Sequence, residues 1–143
     1  MAVTKRYTPK YQDAGRREKD PVYRFYLSPE TLEEVRDELL DEVVIKRRYL
    51  EIGLRASEVG KAIGRDARTI SATMTTHFHT CFRDWVNKYR CDYAMTILRD
   101  RRRQDLLIGD IARMCGFRSN QAFYKAFYRH VGITPVQYRK SSL

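Results

Sequence analysis

Apolar residues recur every three or four positions along most of this chain, which is the spacing of one buried face of an α-helix. The first such stretch comprises Leu32, Val35, Leu39 and Val43. It predicts an amphipathic helix of about 18 residues. Ser28 followed by Pro29 is typical of a helix start, because a serine hydroxyl caps free N–H groups and proline suits the first helical position.

From Leu54 onward the pattern occurs twice, at an interval of about fifty residues. Each copy begins with a short apolar helix that ends at a glycine: Val59-Gly60-x-x-Ile63-Gly64 and Ile111-Ala112-x-x-Cys115-Gly116. Each continues with apolar residues at steps of four: Ile70, Met74 and Phe78, then Phe123, Phe127 and Val131. Two helices joined by a tight glycine turn form a helix-turn-helix unit, and a duplicated unit arises by chance less easily than one.

Between the copies, the apolar residues Trp85, Val86, Tyr89, Tyr93 and Ile97 keep helical spacing without Pro or Gly. We therefore predict an all-α fold in which a central linker helix joins two helix-turn-helix, homeodomain-like subdomains. The expected bounds are about 54–81 for the first unit, 82–99 for the linker helix and 106–132 for the second unit. Residues 1–27 contain Pro9, Gly15 and Pro21 and lack apolar periodicity, which predicts a flexible basic arm before a domain at 28–143.

The net charge of +10 favours a polyanionic partner, with nucleic acid before acidic membrane. Residues 29–54 have four Lys and Arg against eight Asp and Glu, whereas residues 55–143 have seventeen against seven, for a net +10. The polyanion site should therefore lie in the second segment. The longest apolar runs are only a few residues, so we expect no membrane span and a cytoplasmic protein.

Candidate chemistry other than binding is sparse. Cys81, Cys91 and Cys115 are odd in number and widely spaced, which favours reduced thiols. His77 and His79 with Cys81 are residue types that bind zinc, but their spacing does not fit one helix face. The chain shows no Gly-rich phosphate loop, no credible pair of catalytic carboxylates and no nucleophile beside a base. We expect neither enzymatic activity nor a metal or cofactor.

The second copy runs from Ile108-Gly-Asp-Ile111-Ala112 through Gly116-Phe117 and Phe123 to Phe127, and ends in Thr134-Pro135-Val136-Gln137-Tyr138-Arg139. This string closely resembles the C-terminal signature of the AraC/XylS-type DNA-binding domain. Tyr93-Ala94-x-x-Ile97-Leu98 resembles the end of that family's connecting helix. The resemblance covers about residues 30–140 and implies a compact, standalone member of the family.

Three features differ from the family pattern. His79 stands where the first unit usually has glycine, and histidine adopts the left-handed cap conformation less easily. Gly60 replaces an alanine within a helix, which costs roughly 1 kcal/mol in helix propensity. The stretch from Arg99 to Asp105 is about three residues longer than usual. The first two features, together with Ala72 on the recognition helix, suggest a first unit with a small share in specificity.

In helix-turn-helix proteins the second helix of each unit lies in the major groove, where all four base pairs can be distinguished. The residues that we expect to contact DNA are Arg68, Ser71, Ala72 and Thr75 in the first unit, and Arg118, Ser119, Asn120, Gln121, Tyr124 and Lys125 in the second. Asn and Gln suit adenine, and Arg and Lys suit guanine or phosphate. Ala72 could offer only apolar contact, for example to a thymine methyl group.

The sequence thus predicts a sequence-specific regulator of transcription that binds double-stranded DNA as a monomer and reads two adjacent major-groove segments. Activation is the commoner outcome in the family, and RNA polymerase is an expected partner at the nucleoid. The alternative is a helical adaptor or anti-regulator that binds another regulator or polymerase, with weak or no specific DNA binding. An adaptor would bind DNA without sequence preference, so the Gln121→Ala substitution would have no such preference to abolish.

Overall fold

The computed structural model describes residues 27–143, and within them all regular structure is helical. The predicted arm at 1–27 therefore lies outside the described residues except for Leu27. Seven α-helices follow one another in this part of the chain: α1 Pro29–Leu39, α2 Ala56–Ile63, α3 Ala67–Thr73, α4 Phe82–Arg99, α5 Ile108–Met114, α6 Asn120–Val131 and α7 Pro135–Ser141. Helices α1 and α3 each continue into a π-helical stretch, Leu40–Ile45 and Met74–Phe78.

The helix ends follow the predicted signals. The Ser28 hydroxyl accepts a hydrogen bond from the N–H of Thr31 at 3.1 Å, and Pro29 is the first residue of α1. Gly64 and Gly132 adopt left-handed conformations after α2 and α6. His79 also adopts this conformation, with φ +57°, after the helical stretch that begins with α3. The first unit thus makes the same reversal as the second without the glycine.

The interior is divided into two hydrophobic cores that share one helix. The first half of α4 contributes Trp85 and Val86 to a core formed with α1, α2 and α3. The second half of α4 contributes Ala94, Ile97 and Leu98 to a core formed with α5 and α6. A continuous helix of 18 residues thus contributes buried side chains to both cores and is the structural element that the two units share.

Arg90 lies on α4 where one core ends and the other begins. It is buried, and its guanidinium donates to the backbone oxygens of Tyr49, at 2.6 Å, and Glu51, at 2.8 Å. The same guanidinium lies over the Phe117 ring of the second unit, 5.7 Å from its centroid. Arg90 therefore connects the α1–α2 loop, the linker helix and the turn of the second unit.

Gly116 brings that turn against the α1–α2 loop. It has φ +92°, and a Cβ on this residue would lie 2.7 Å from the backbone oxygen of Tyr49. Only glycine allows both this conformation and this approach. The two units are thus packed against each other as well as joined by α4, which confirms the predicted all-α arrangement of two helix-turn-helix units on a linker helix.

Candidate nucleic-acid interface

The recognition helix of the second unit, α6, is divided cleanly into a buried and an exposed side. Ser119 caps it by accepting a hydrogen bond from the N–H of Ala122 at 3.1 Å. Phe123 and Phe127 are completely buried and stack edge-on with ring centroids 5.6 Å apart. Because two large rings anchor the helix on one side against α4 and α5, its backbone is held in place and its other side faces solvent.

The exposed side contains most of the residues predicted to contact DNA. Asn120, Gln121 and Lys125 are exposed and form what we call the contact face of α6. Arg118 and Ser119 are exposed at its start, and Tyr124 is half-buried at its edge. Within residues 27–143, the Gln121 and Lys125 side chains pair with no other group. Their donors and acceptors are therefore available to a ligand.

Two of these side chains also touch neighbouring backbone. The Asn120 amide lies beside Gly109 of α5. A Cβ added to Gly109 would lie 3.1 Å from Oδ1 of Asn120. The Arg118 guanidinium lies over Gly53 of the α1–α2 loop, where a Cβ would come within 2.7 Å of its Nη2. Glycine at both positions leaves room for these polar groups at the start of the recognition helix.

The recognition helix of the first unit, α3, exposes fewer residues. Arg68, Ser71 and Thr75 are exposed, as the sequence predicted for a contact surface. Ala72 is fully buried, so its methyl group is not exposed for the contact with DNA that the sequence predicts. The reason lies in packing: α3 is covered by both α1 and α2, which buries a wider strip than the four-residue apolar spacing indicates.

Charge is also distributed unequally between the two recognition helices. Asp66 caps α3, and hydrogen bonds from the hydroxyl and N–H of Thr69 hold the pKa of its carboxyl below the usual range. Arg65, next to it, is bound to Glu38 at 2.9 Å and to Glu34 at 3.4 Å on α1. The first unit thus places a carboxylate at the start of its recognition helix, where the second unit has an uncharged serine.

An open cleft of about 700 Å³ separates the two units on the side of the contact face. We call it the inter-unit groove. Its floor is formed by Trp85 and Tyr89 of α4, its first-unit wall by His77, Phe78 and Thr80, and its second-unit wall by α6. We call the exposed side chains of α4 and of α6 along this cleft its two rims. Lys125 belongs both to this wall and to the contact face.

Sequence reasoning missed several residues that the structure brings together here. Arg83 and Lys88 of α4 and Arg129 of α6 all line the inter-unit groove, although no spacing in the sequence relates them. Arg90 did leave a signal, because it stands four residues after Val86 and four before Ala94, within an otherwise apolar stripe. A charged residue in such a position is buried only when it finds partners.

The remaining candidate chemistry does not form a reactive site in the described part of the chain. Cys91 and Cys115 are buried in the second core, and burial raises the pKa of each thiol to about 12. Across residues 27–143, no three His, Cys, Asp or Glu side chains converge in a way that could hold a metal ion. None of the helices described is both long enough and apolar enough to cross a membrane.

Comparison with known proteins agrees with this architecture. Residues 59–141 match the family model described as "Helix-turn-helix domain". Over 60 residues, 42% of the chain, the sequence is 38% identical to the melibiose operon regulatory protein of Escherichia coli K12. The matched stretch is 19% of that regulator, so the chain spans about a fifth of the length of this relative.

Two solved structures share the fold. A Listeria innocua protein of unknown function superposes with a TM-score of 0.63 at 26% identity, over 81% of this chain and 100% of that one. A Chromobacterium violaceum transcriptional regulator, described as containing an AraC-type DNA-binding domain, superposes with a TM-score of 0.65 at 20% identity, over 77% and 96%. The chain therefore belongs to the AraC/XylS-type family of helix-turn-helix regulators, which are DNA-binding proteins and not enzymes.

Proposed function

We propose that this chain is a sequence-specific, double-stranded DNA-binding regulator of transcription whose second unit supplies most of the base recognition. The observation on which this rests is the contact face of α6. Asn120, Gln121 and Lys125 are exposed on a helix that Phe123 and Phe127 anchor rigidly. An α-helix presented in this way fits the major groove, where amide side chains suit adenine and lysine suits guanine.

The first unit is proposed to read a second major-groove segment about 10 base pairs away, because both units are held on one linker helix. Its share of specificity is smaller, since Ala72 is buried and an acidic residue caps its recognition helix. Arg68, Ser71 and Thr75 are its candidate contacts. Two reading units on one chain allow binding as a monomer to an asymmetric site.

The proposal extends to activation, with RNA polymerase as the partner at the nucleoid. Activation follows from the family resemblance alone. Support for a polymerase contact comes from the acidic, exposed surface of α1, because its negative charge suits a basic protein surface and is repelled by DNA phosphates. Glu30, Glu33 and Glu34 are all exposed there.

The experiment that tests the proposal is selection of binding sites from a random duplex pool at about 150 mM salt, where weak phosphate attraction is screened. Enrichment of two short motifs about one helical turn apart is the expected result. A single motif would confine specificity to the second unit, and an absence of enrichment would favour the adaptor alternative.

Gln121→Ala then tests the contact face directly. A bidentate contact to a base contributes about 1–3 kcal/mol of discrimination, so the variant should lose roughly five- to a hundred-and-fifty-fold in preference for the selected site. Thr96→Ala is the matched control, since Thr96 is exposed on α4 and lines neither the inter-unit groove nor the contact face. Equal preference in the two variants would contradict the assignment of α6 as the base-reading helix.

A further inference from the structure

The inter-unit groove has positively charged side chains on both of its rims. Arg83 and Lys88 project from α4, and Lys125 and Arg129 project from α6. The Arg83 and Arg129 side chains are 79% and 70% exposed. These cations stand on the shared helix α4 and on α6 of the second unit, and only the tertiary structure places them along the same cleft.

A single carboxylate interrupts this positive lining. Asp84 of α4 lies 3.4 Å from Arg129 of α6 and 3.7 Å from Arg83 of α4. An ion pair therefore connects the two rims. Of the described residues that line the groove, four are Lys or Arg and one is Asp, which leaves a net charge of +3 with the histidines neutral. The helix α4 also begins at this rim, and its cap residue, Cys81, makes no side-chain hydrogen bond to the free N–H groups of the first turn.

We propose that the inter-unit groove is a phosphate-binding site that holds the DNA backbone between the two major-groove segments. This inference rests on the proposed function, because it assumes that both units face one duplex. The sugar-phosphate strands that border the intervening minor groove must then pass between the two recognition helices. The inter-unit groove lies between α6 and the end of the helical stretch that begins with α3, so it is the surface that we expect these strands to meet.

The phosphate assignment also follows from the kind of charge found here. A pocket for a small ligand encloses it with apolar walls and converging polar groups. In this groove the cations are on exposed rims, and the aromatic floor is already packed internally, with Phe78 and Trp85 stacked at 4.6 Å and Trp85 only 4% exposed. A continuous polyanion such as DNA needs its charge neutralised along its length and does not need to be enclosed. Exposed cations on two rims therefore suit it.

The test measures binding of a fluorescent duplex containing the selected site to the full chain, by anisotropy, between about 100 and 400 mM salt. Each phosphate contact contributes about 0.9 to the slope of log affinity against log salt. Arg83→Ala/Lys88→Ala should therefore lower the magnitude of this slope by about 1.8. At about 150 mM salt it should raise Kd roughly ten- to thirty-fold for selected and scrambled duplexes alike.

Lys140→Ala is the control for the loss of one positive charge, because Lys140 is exposed on α7 and lies outside the groove. The change in slope caused by Arg83→Ala/Lys88→Ala is divided by the two charges removed and compared with the change caused by Lys140→Ala. A value no larger than that of Lys140→Ala would overturn the proposal. If Gln121→Ala abolished preference while the double variant bound normally, the proposed function would stand and the phosphate site would fall. If the wild-type chain bound no duplex selectively, both would fall.

Trp85 provides a second readout, since it is the only tryptophan of the chain and lies in the groove floor. Titration with inorganic phosphate at constant ionic strength should leave its fluorescence unchanged, because separate exposed cations hold a free ion weakly. Saturable quenching by phosphate in the wild type, lost in Arg83→Ala/Lys88→Ala while duplex binding persists, would instead assign the groove to a small anion.

Discussion

Gly60 weakens its own helix and yet is required by the packing around it. A Cβ at this position would lie 2.7 Å from the backbone oxygen of Arg65 and 3.0 Å from Cδ1 of Ile70. The Arg65 carbonyl belongs to the tight turn between α2 and α3, and it cannot retreat without moving that turn. Glycine at this position thus allows the tight turn between α2 and α3 to form. Its presence therefore does not indicate a first unit with a reduced share in specificity.

Gly60→Ala should lower the free energy of unfolding by about 1–3 kcal/mol, the usual cost of overpacking, although helix propensity alone predicts a gain of roughly 1 kcal/mol. Urea denaturation measures the difference. Gly109→Ala is the matched control in α5, because a Cβ there would meet only the exposed Asn120 side chain, which can rotate away. Equal or greater stability of Gly60→Ala would show that the turn is not rigid.

The linker helix α4 determines how the two units are oriented, and Arg90 is the residue on which this depends most. Its burial lowers the pKa of the guanidinium, which still stays protonated because the pKa of arginine is so high. The charge is therefore desolvated and is stabilised by the Tyr49 and Glu51 carbonyls. Removing the donors leaves two backbone oxygens without their partner.

We expect Arg90→Met to lower the free energy of unfolding by about 1–3 kcal/mol, since an unsatisfied buried acceptor is costly while the methionine avoids the desolvation of a charge. Arg99→Met is the control on the same helix, because the Arg99 side chain is exposed and donates only to the Tyr138 hydroxyl. It should change stability by less than about 0.5 kcal/mol.

Selection of binding sites with Arg90→Met tests the consequence for DNA recognition. If Arg90 fixes the angle between the units, the variant should keep each short motif but tolerate more than one spacing between them. A spacing as strict as that of the wild type would mean that α4 and Gly116 suffice to hold the units together.

The whole molecule behaves as two cores on one shared helix, and its surface charge follows the same division. The acidic helix α1 packs against α3, and its Glu34 and Glu38 bind Arg65, so positive charge of the first unit is neutralised. Positive charge is left exposed on α6 and around the inter-unit groove. The shared helix implies that the two units lose their structure together.

Phe127→Ala tests this coupling, because Phe127 lies in the second core and Trp85 in the first. Deleting a buried phenylalanine side chain costs about 3–5 kcal/mol. The urea midpoint followed by Trp85 fluorescence should fall as far as the midpoint followed by far-UV circular dichroism. A fluorescence midpoint that stayed at the wild-type value would show that the first unit unfolds independently.

Apolar spacing, capping residues and glycine turns are local signals, and they were enough to predict the helices α1 to α6, the duplicated unit and the family. The sequence also indicated most of the contact face of α6, since Phe123 and Phe127 leave Gln121 and Lys125 on the opposite side. Where one helix is packed on one side only, periodicity is enough to identify its exposed residues.

Features that depend on contacts between elements distant in sequence could be seen only once the helices were packed together. Ala72 is buried because α3 is covered from two directions, which a single apolar stripe does not reveal. The Arg90 contacts join residues about forty positions apart, and the inter-unit groove assembles cations from α4 and α6. Such features arise from how helices pack on one another, and helix periodicity describes one helix at a time.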